Sequence, residues 1–247
     1  DWYYQSRLTL NGGKSKYMLL GCNQEDKIDL TIQGHPLQRV STYKLVGMII
    51  DDKLSWKEHI EKTRKKIGGV YGMLSKAKRN LTLESRKLIY NSLFRSYLTY
   101  GIEHYGGAKK MALDPLLKIQ KKCIRIVYGL KYNESTKETC ADNRILYVED
   151  ESIVSKILMA KAIMSESAPK NVKKLFEADL VRKTRSGGKK LIKIPRFKTS
   201  KLQSSSSYQI PLLWNTLHET AQQLTMKPLS RFVRSQLAEL YREHETH

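Results

Sequence analysis

Lys118, Lys122 and Arg125 stand four and three positions apart, with Lys121 beside them, in a segment whose apolar residues recur at helical spacing. On a helix, positions i, i+4 and i+7 stack along one face. Like charges so placed repel by roughly a few tenths of a kcal/mol per pair, and a row of phosphates turns that cost into attraction. Such side chains hold a polyanion; they neither cut nor join it. Lys62, Lys65 and Lys66 form an earlier basic run, and Lys189, Lys190, Arg196 and Lys198 a later one. For any single run the alternative is a solvated face screened by acids from elsewhere. Because the excess recurs on separate segments, binding is the favoured reading.

Two other patterns imitate catalytic machinery. Asp51-Asp52 follows an apolar strand, as a two-metal carboxylate pair for phosphoryl transfer does. No aromatic residue precedes the pair at the needed distance, and a helix starts three residues on, so a turn is expected. Gly12-Gly13-Lys14-Ser15 resembles the end of a phosphate-cradling loop but lacks the upstream glycine. No catalytic or metal-binding residue is therefore assigned. Trp56, Tyr97, Tyr100 and Trp214 can in principle stack on bases. Trp56 and Tyr97 fall on apolar helix faces and read as core, which leaves Tyr100, Tyr105, Tyr128 and Tyr208 as the better stacking candidates.

Elements to position these residues are legible in the pattern. Ile28, Leu30 and Ile32 alternate with polar residues as in a half-buried strand. Gly34-His35-Pro36 reads as a turn, and Leu45 to Ile50 as a more buried strand. Ser55 and Glu58 form a capping box, after which Trp56, Ile60, Ile67, Val70 or Tyr71, and Leu74 mark one apolar stripe. A second helix is expected over 83–100, burying Tyr90, Leu93, Phe94 and Tyr97. A third opens at Asp114-Pro115 and buries Leu116, Ile119 or Gln120, Cys123, Ile124 and Val127. Three amphipathic helices with glycine-containing connections make a small bundle. Beyond Gly129 come a polar loop, helices over 153–164 and 172–180, and a basic loop at 184–190. An extended segment over 191–197 is marked by Pro195 as an edge or irregular strand, and the short serine run at 204–207 is open to reading as merely a linker. A final helix carries Leu229, Phe232, Val233, Leu237, Leu240 and Tyr241.

The chain has 247 residues, which allows roughly one to two domains of about 150. Its 45 Lys and Arg against 24 Asp and Glu leave a formal charge of +21, spread along the whole length. A compact body with that charge repels itself unless an anionic partner screens it. Nucleic acid fits best. No apolar run approaches the roughly 18 residues that span a bilayer, and the first residues do not read as a secretory leader, so no membrane partner is expected. Three cysteines far apart, with no CxxC pair, fit a reducing nuclear or cytoplasmic compartment.

Several islands resemble the reverse transcriptases of non-LTR, LINE-type retrotransposons, especially Jockey and CR1-like elements. The clearest is Lys44-Leu45-Val46-Gly47-Met48-Ile49-Ile50-Asp51 followed by Leu54-Ser55-Trp56-Lys57-Glu58-His59-Ile60, which is similar to the family's palm-to-thumb junction. Trp2, Leu8-Thr9-Leu10-Asn11 and Lys14-Ser15-Lys16-Tyr17-Met18 look like the segment after its catalytic hairpin. Tyr100-Gly101 and the run from Ile119 to Arg125 look like its thumb. Ile194-Pro195-Arg196-Phe197-Lys198-Thr199, Ser207-Tyr208 and Leu213-Trp214-Asn215-Thr216-Leu217 look like the closing segment. Two departures stand out. Lys44-Leu45-Val46-Gly47 replaces the usual aromatic or leucine before glycine, and no Tyr-x-Asp-Asp hairpin is present.

The resemblance implies an α+β, mostly α fold. In it, 1–53 form the end of a palm and a β-hairpin, 54–130 a thumb-like three-helix domain, and 131–247 a mainly helical C-terminal region with a basic loop at 184–201. It implies that the hairpin positions a primer end and that the helical body clamps RNA template or RNA/DNA hybrid. The catalytic carboxylates are expected upstream, so magnesium is implied only for a full-length polymerase, joined to upstream fingers and palm. The competing expectation is a domesticated retrotransposon remnant, serving as a structural RNA- or protein-binding subunit of a ribonucleoprotein.

Overall fold

The computed structural model describes residues 5–7, 11–21, 28–32, 34–165, 167–176 and 191–243. They form an α+β, mostly helical fold, which divides into two compact units, Asp1–Glu61 and Lys62–His247.

In the first unit the described strands are short and paired two by two. β1 (Lys16–Tyr17) runs parallel to β4 (Gln38–Arg39), and β2 (Thr31–Ile32) antiparallel to β3 (His35–Pro36). β5 (Thr42–Leu45) and β6 (Met48–Asp51) make a hairpin in which Leu45 faces Met48. The apolar run expected as one buried strand is therefore cut at its middle. Val46 and Gly47 both take positive φ, 44° and 85°, the requirement of the two-residue hairpin turn whose twist suits the flanking strands. Glycine adopts this without a Cβ penalty; Val46, β-branched and 80% exposed, does not. Of the expected turn Gly34-His35-Pro36, Gly34 does turn the chain, at φ 80°, while His35 and Pro36 already form β3.

α1 (Lys57–Ala77) begins two residues past Ser55. The backbone N–H of Ser55, which a Glu58 carboxylate takes in a capping box, donates to Asp51 Oδ1 at 2.9 Å instead. Asp51 Oδ1 also accepts from Lys53 N–H, and Oδ2 from Trp56 N–H at 2.9 Å. One carboxylate thus holds the turn through Leu54 and Trp56, both at positive φ.

The second unit is built from helices. α1 buries Ile67, Val70 and Leu74. α2 (Leu83–Ile89), capped by the Thr82 hydroxyl on Ser85 N–H, runs into a π-helical turn (Tyr90–Arg95) and then α3 (Ser96–Thr99). Tyr90, Phe94 and Leu98 face inward, whereas Leu93 and Tyr97, expected as core, are 38% and 40% exposed. The wider turn resets which side chains share a face. Gly101, at φ +70°, lets the chain turn into α4 (Ile102–Tyr105).

α5 (Lys110–Tyr128) starts a full turn before Asp114-Pro115, so Pro115 lies inside it. Its buried stripe is Leu113, Leu116, Gln120, Cys123, Ile124 and Val127, and Gly129 in the left-handed conformation ends it. α6 (Lys137–Asp142) follows the polar loop. α7 (Val148–Met164) is the hub: residues all round its circumference are buried, from Val148 and Glu151 to Ala160 and Ile163. A helix buried on every side belongs at the centre of a bundle. Gln120 anchors its start, accepting from Val148 N–H at 3.0 Å while donating to the Leu146 carbonyl at 2.9 Å and to the Tyr90 hydroxyl.

Against α7 pack α10 (Ser206–Thr216) and α12 (Met226–Glu243), with α9 (Ser200–Gln203) on α10, α11 (Glu219–Gln223) on α12, and Val172 of α8 (Lys170–Leu175) on the shared core. Trp214, Ile210, Ile192, Leu229 and Val233 join Val154, Ile157 and Ile163 in the core. Of the run at 204–207, Ser204 and Ser205 link α9 to α10 and Ser206 and Ser207 open α10, where Ser206 Oγ donates to the Glu103 carbonyl at 2.6 Å. Residues 191–197 form no strand; the Asn215 side chain acts as their ladder partner, exchanging two hydrogen bonds with the Ile192 backbone at 3.0 and 2.8 Å. On α12, Phe232 and Leu240 are exposed and Ala238 is buried in their stead.

Candidate nucleic-acid interface

The structure separates the basic residues that the sequence groups together. On α5, Lys118 and Lys122 are exposed one turn apart. Arg125, the third member of the stripe, is half-buried and donates from Nε to the Glu134 carbonyl at 2.9 Å, which ties down the loop after the helix. Lys121 turns the other way and sits over the Tyr147 ring, 5.2 Å from its centre. On α1, Lys65 is exposed, Lys62 is half-buried, and Lys66 lies 5.0 Å over Tyr97. Arg196 and Lys198 are exposed on either side of Phe197, whose ring packs near Tyr208. Lys189 and Lys190 lie outside the described residues. Lys65, Lys118, Lys122, Arg196 and Lys198 have no carboxylate partner among the described residues.

A concave site that the sequence did not announce lies in the same unit. A cleft of about 350 Å³ is lined by the π turn, the ends of α2 and α5, residues 143–145, α7 and α12. Lys87, Arg95, Arg144 and Arg234 supply four cations to it, and Glu151 a single carboxylate. Glu151 is the floor's fixed point: Arg95 Nε meets Oε1 at 2.8 Å, and Arg234 donates to both oxygens at 3.0 and 2.6 Å. Burial alone pushes this carboxyl up, but the hydrogen bonds and charges of Arg234 and Arg95 outweigh it and hold it below the ordinary carboxylate range. Toward the rim, Lys87 lies 5.2 Å over the Tyr128 ring, and burial pushes the Tyr128 hydroxyl up to about 12, so that hydroxyl stays neutral at physiological pH. Arg144, exposed and at φ 52°, stands at the mouth.

These cleft residues are far apart in sequence and each sits on an otherwise ordinary amphipathic helix, so spacing does not gather them. Nor does the sequence single out Glu151, which stands beside Glu149 and Asp150 in the first turn of α7, where acids are ordinary.

Among the stacking candidates, Tyr105 is wholly buried, with its hydroxyl donating to the Leu98 carbonyl, and Trp214 is 2% exposed. Both are core. Tyr100 is 51% exposed, Tyr128 lines the cleft, and Tyr208 is half-buried beside Phe197. The Asp51-Asp52 pair does not suit a metal pair, since the oxygens of Asp51 already accept three backbone N–H groups.

No family model and no solved structure matches the chain. Among known proteins, the RNA-directed DNA polymerase from mobile element jockey of Drosophila funebris is 25% identical over 154 residues, covering 61% of this chain and 17% of that protein. The polymerase of the same name from Drosophila melanogaster is 25% identical over 120 residues, covering 47% of this chain and 13% of its own length. The matched region is thus a small part of either relative. The similarity is to a region of a non-LTR, LINE-type reverse transcriptase.

Proposed function

We propose that this chain is a gripping part of a LINE-type RNA-directed DNA polymerase, holding RNA template or RNA/DNA hybrid through its phosphates. The observation that carries this reading is the set of exposed cations on separate elements, Lys65, Lys118, Lys122, Arg196 and Lys198, that no carboxylate among the described residues neutralises. Lysine ammonium groups are compact point charges that neutralise phosphates in any sequence, so the grip positions the polymer without reading it. The similarity to jockey polymerases supplies the context: such a grip serves synthesis on an RNA template. Magnesium-dependent chemistry would rest on palm carboxylates, and none of the residues assigned here has that task.

The test is a double charge reversal, Lys118→Glu with Lys122→Glu. Arg125 is left intact because it also holds the Glu134 loop. Affinity for unrelated RNAs and RNA/DNA hybrids should fall together by about tenfold or more, with thermal stability unchanged. Retained general RNA affinity, with loss of one defined protein partner, would instead favour a domesticated subunit of a ribonucleoprotein.

A further inference from the structure

We infer that the cleft beneath Arg144 receives one unstacked nucleobase of the bound nucleic acid, while the flanking phosphates rest on Lys87 and Arg144 at its rim. This rests on the gripping role proposed above and adds what the grip selects.

The floor argues against a phosphate going deep. Arg95 and Arg234 already spend hydrogen bonds on the two oxygens of the buried Glu151 carboxylate, so the cations left to take a phosphate are Lys87 and Arg144. The hydrogen-bonding capacity of the walls points the same way. Asn91 spends an amide N–H on the Lys87 carbonyl at 3.0 Å, and Asn143 does so on the Thr139 carbonyl at 2.9 Å. That leaves two amide oxygens which no donor meets among the described residues. A phosphodiester has no proton to give them, whereas a nucleobase carries exocyclic amines and ring N–H groups.

Tyr128 adds an aromatic wall with the Lys87 ammonium over one face of its ring, which leaves the other face and the edge to a base. An aromatic next to a cation is how single-stranded nucleic acid is held, base on ring and phosphate on charge. Size agrees too. About 350 Å³ lies at the small end of ligand sites, which run from about 300 to 1,000 Å³, and suits one nucleoside rather than a stretch of duplex. Arg144 has no ion-pair partner among the described residues and can take the phosphate that the floor refuses. An unpaired nucleotide enters such a pocket at the least unstacking cost.

The experiment uses the full chain and two RNA duplexes of equal length, one fully paired and one with a single unpaired 2-aminopurine. Fluorescence anisotropy gives the affinities, and 2-aminopurine emission reports the environment of the bulged base. The bulged duplex should bind about tenfold tighter, its emission should change on binding, and Asn91→Ala with Asn143→Ala should abolish the advantage while leaving affinity for the paired duplex within about twofold. Equal affinity for the two duplexes, or an advantage that survives in the double variant, overturns the inference and leaves the phosphate grip standing. Failure to bind either RNA removes the grip, and the inference with it.

Discussion

Arg234 meets both carboxylate oxygens of Glu151 although 83 positions separate the two residues. The pair pins α12 to α7, and Arg95 reaches the same carboxylate from the π turn, so one buried acid ties three elements together. Removing the carboxylate leaves two arginines facing each other in the cleft. Arg95 and Arg234 keep 36% and 18% side-chain exposure, and water therefore softens the loss.

Glu151→Gln should cost about 2–4 kcal/mol at pH 7 in urea unfolding, somewhat under the usual penalty for breaking a buried pair because of that exposure. Because the folded carboxyl is held below its ordinary value, its contribution is complete above the unfolded pKa of about 4.3 and fades as pH falls through the lower folded value. The gap between wild type and variant should narrow below pH 4. A gap that is constant with pH would show that the charge plays no part.

Lys156 is the opposite case. It is 4% exposed on α7, and burial pulls its ammonium down to about 8, only partly offset by Glu103. The unfolded chain holds that proton more tightly, so the charge weighs on the fold at every pH below 8, and stability recovers as pH rises from 8 toward 10.5. Lys156→Met should stabilise the protein at pH 7 by up to about 3 kcal/mol, with the gain shrinking toward pH 10.5 in parallel melts. A variant less stable than wild type at pH 7 would contradict this.

Gln120→Leu should destabilise by about 2–4 kcal/mol, because it strips partners from the buried Val148 N–H and Leu146 carbonyl at the start of α7. Thermal unfolding measures it. A neutral outcome would mean that these groups find other partners.

Val46→Asn should stabilise by about 1 kcal/mol, since asparagine tolerates the positive φ that a β-branched residue resists, and Asn-Gly is the favoured pair for this turn. Denaturant unfolding of the two chains compares them directly. A destabilised variant would show that the exposed Val46 side chain makes a contact worth more than the strain.

Much of the helical body could be read directly. The stripe Leu116, Cys123, Ile124 and Val127 is buried as its period demands, because four spaced apolar residues on a long helix leave little choice of face. Where reading failed, long-range or backbone effects intervened. The π turn moved Leu93 and Tyr97 outward, and nothing in 90–95 advertises the extra residue per turn. Gly47 split an apolar run that looked like one strand, since hydrophobicity alone does not show where the chain reverses. The site was half legible. Lys118 and Lys122 are exposed as their spacing implied, but Arg125 is drawn to the Glu134 carbonyl and Lys121 to Tyr147, partners that lie beyond the helix itself. Arg95, Arg144 and Arg234 become a cluster only once α7 and α12 have packed.

The most direct test of the grip is the salt dependence of binding, measured by filter binding of the full chain to an RNA/DNA hybrid between 50 and 200 mM monovalent salt. Several phosphate contacts should lower affinity by roughly a thousandfold or more across that range. Affinity that stays level from the lowest salt to the highest would contradict it.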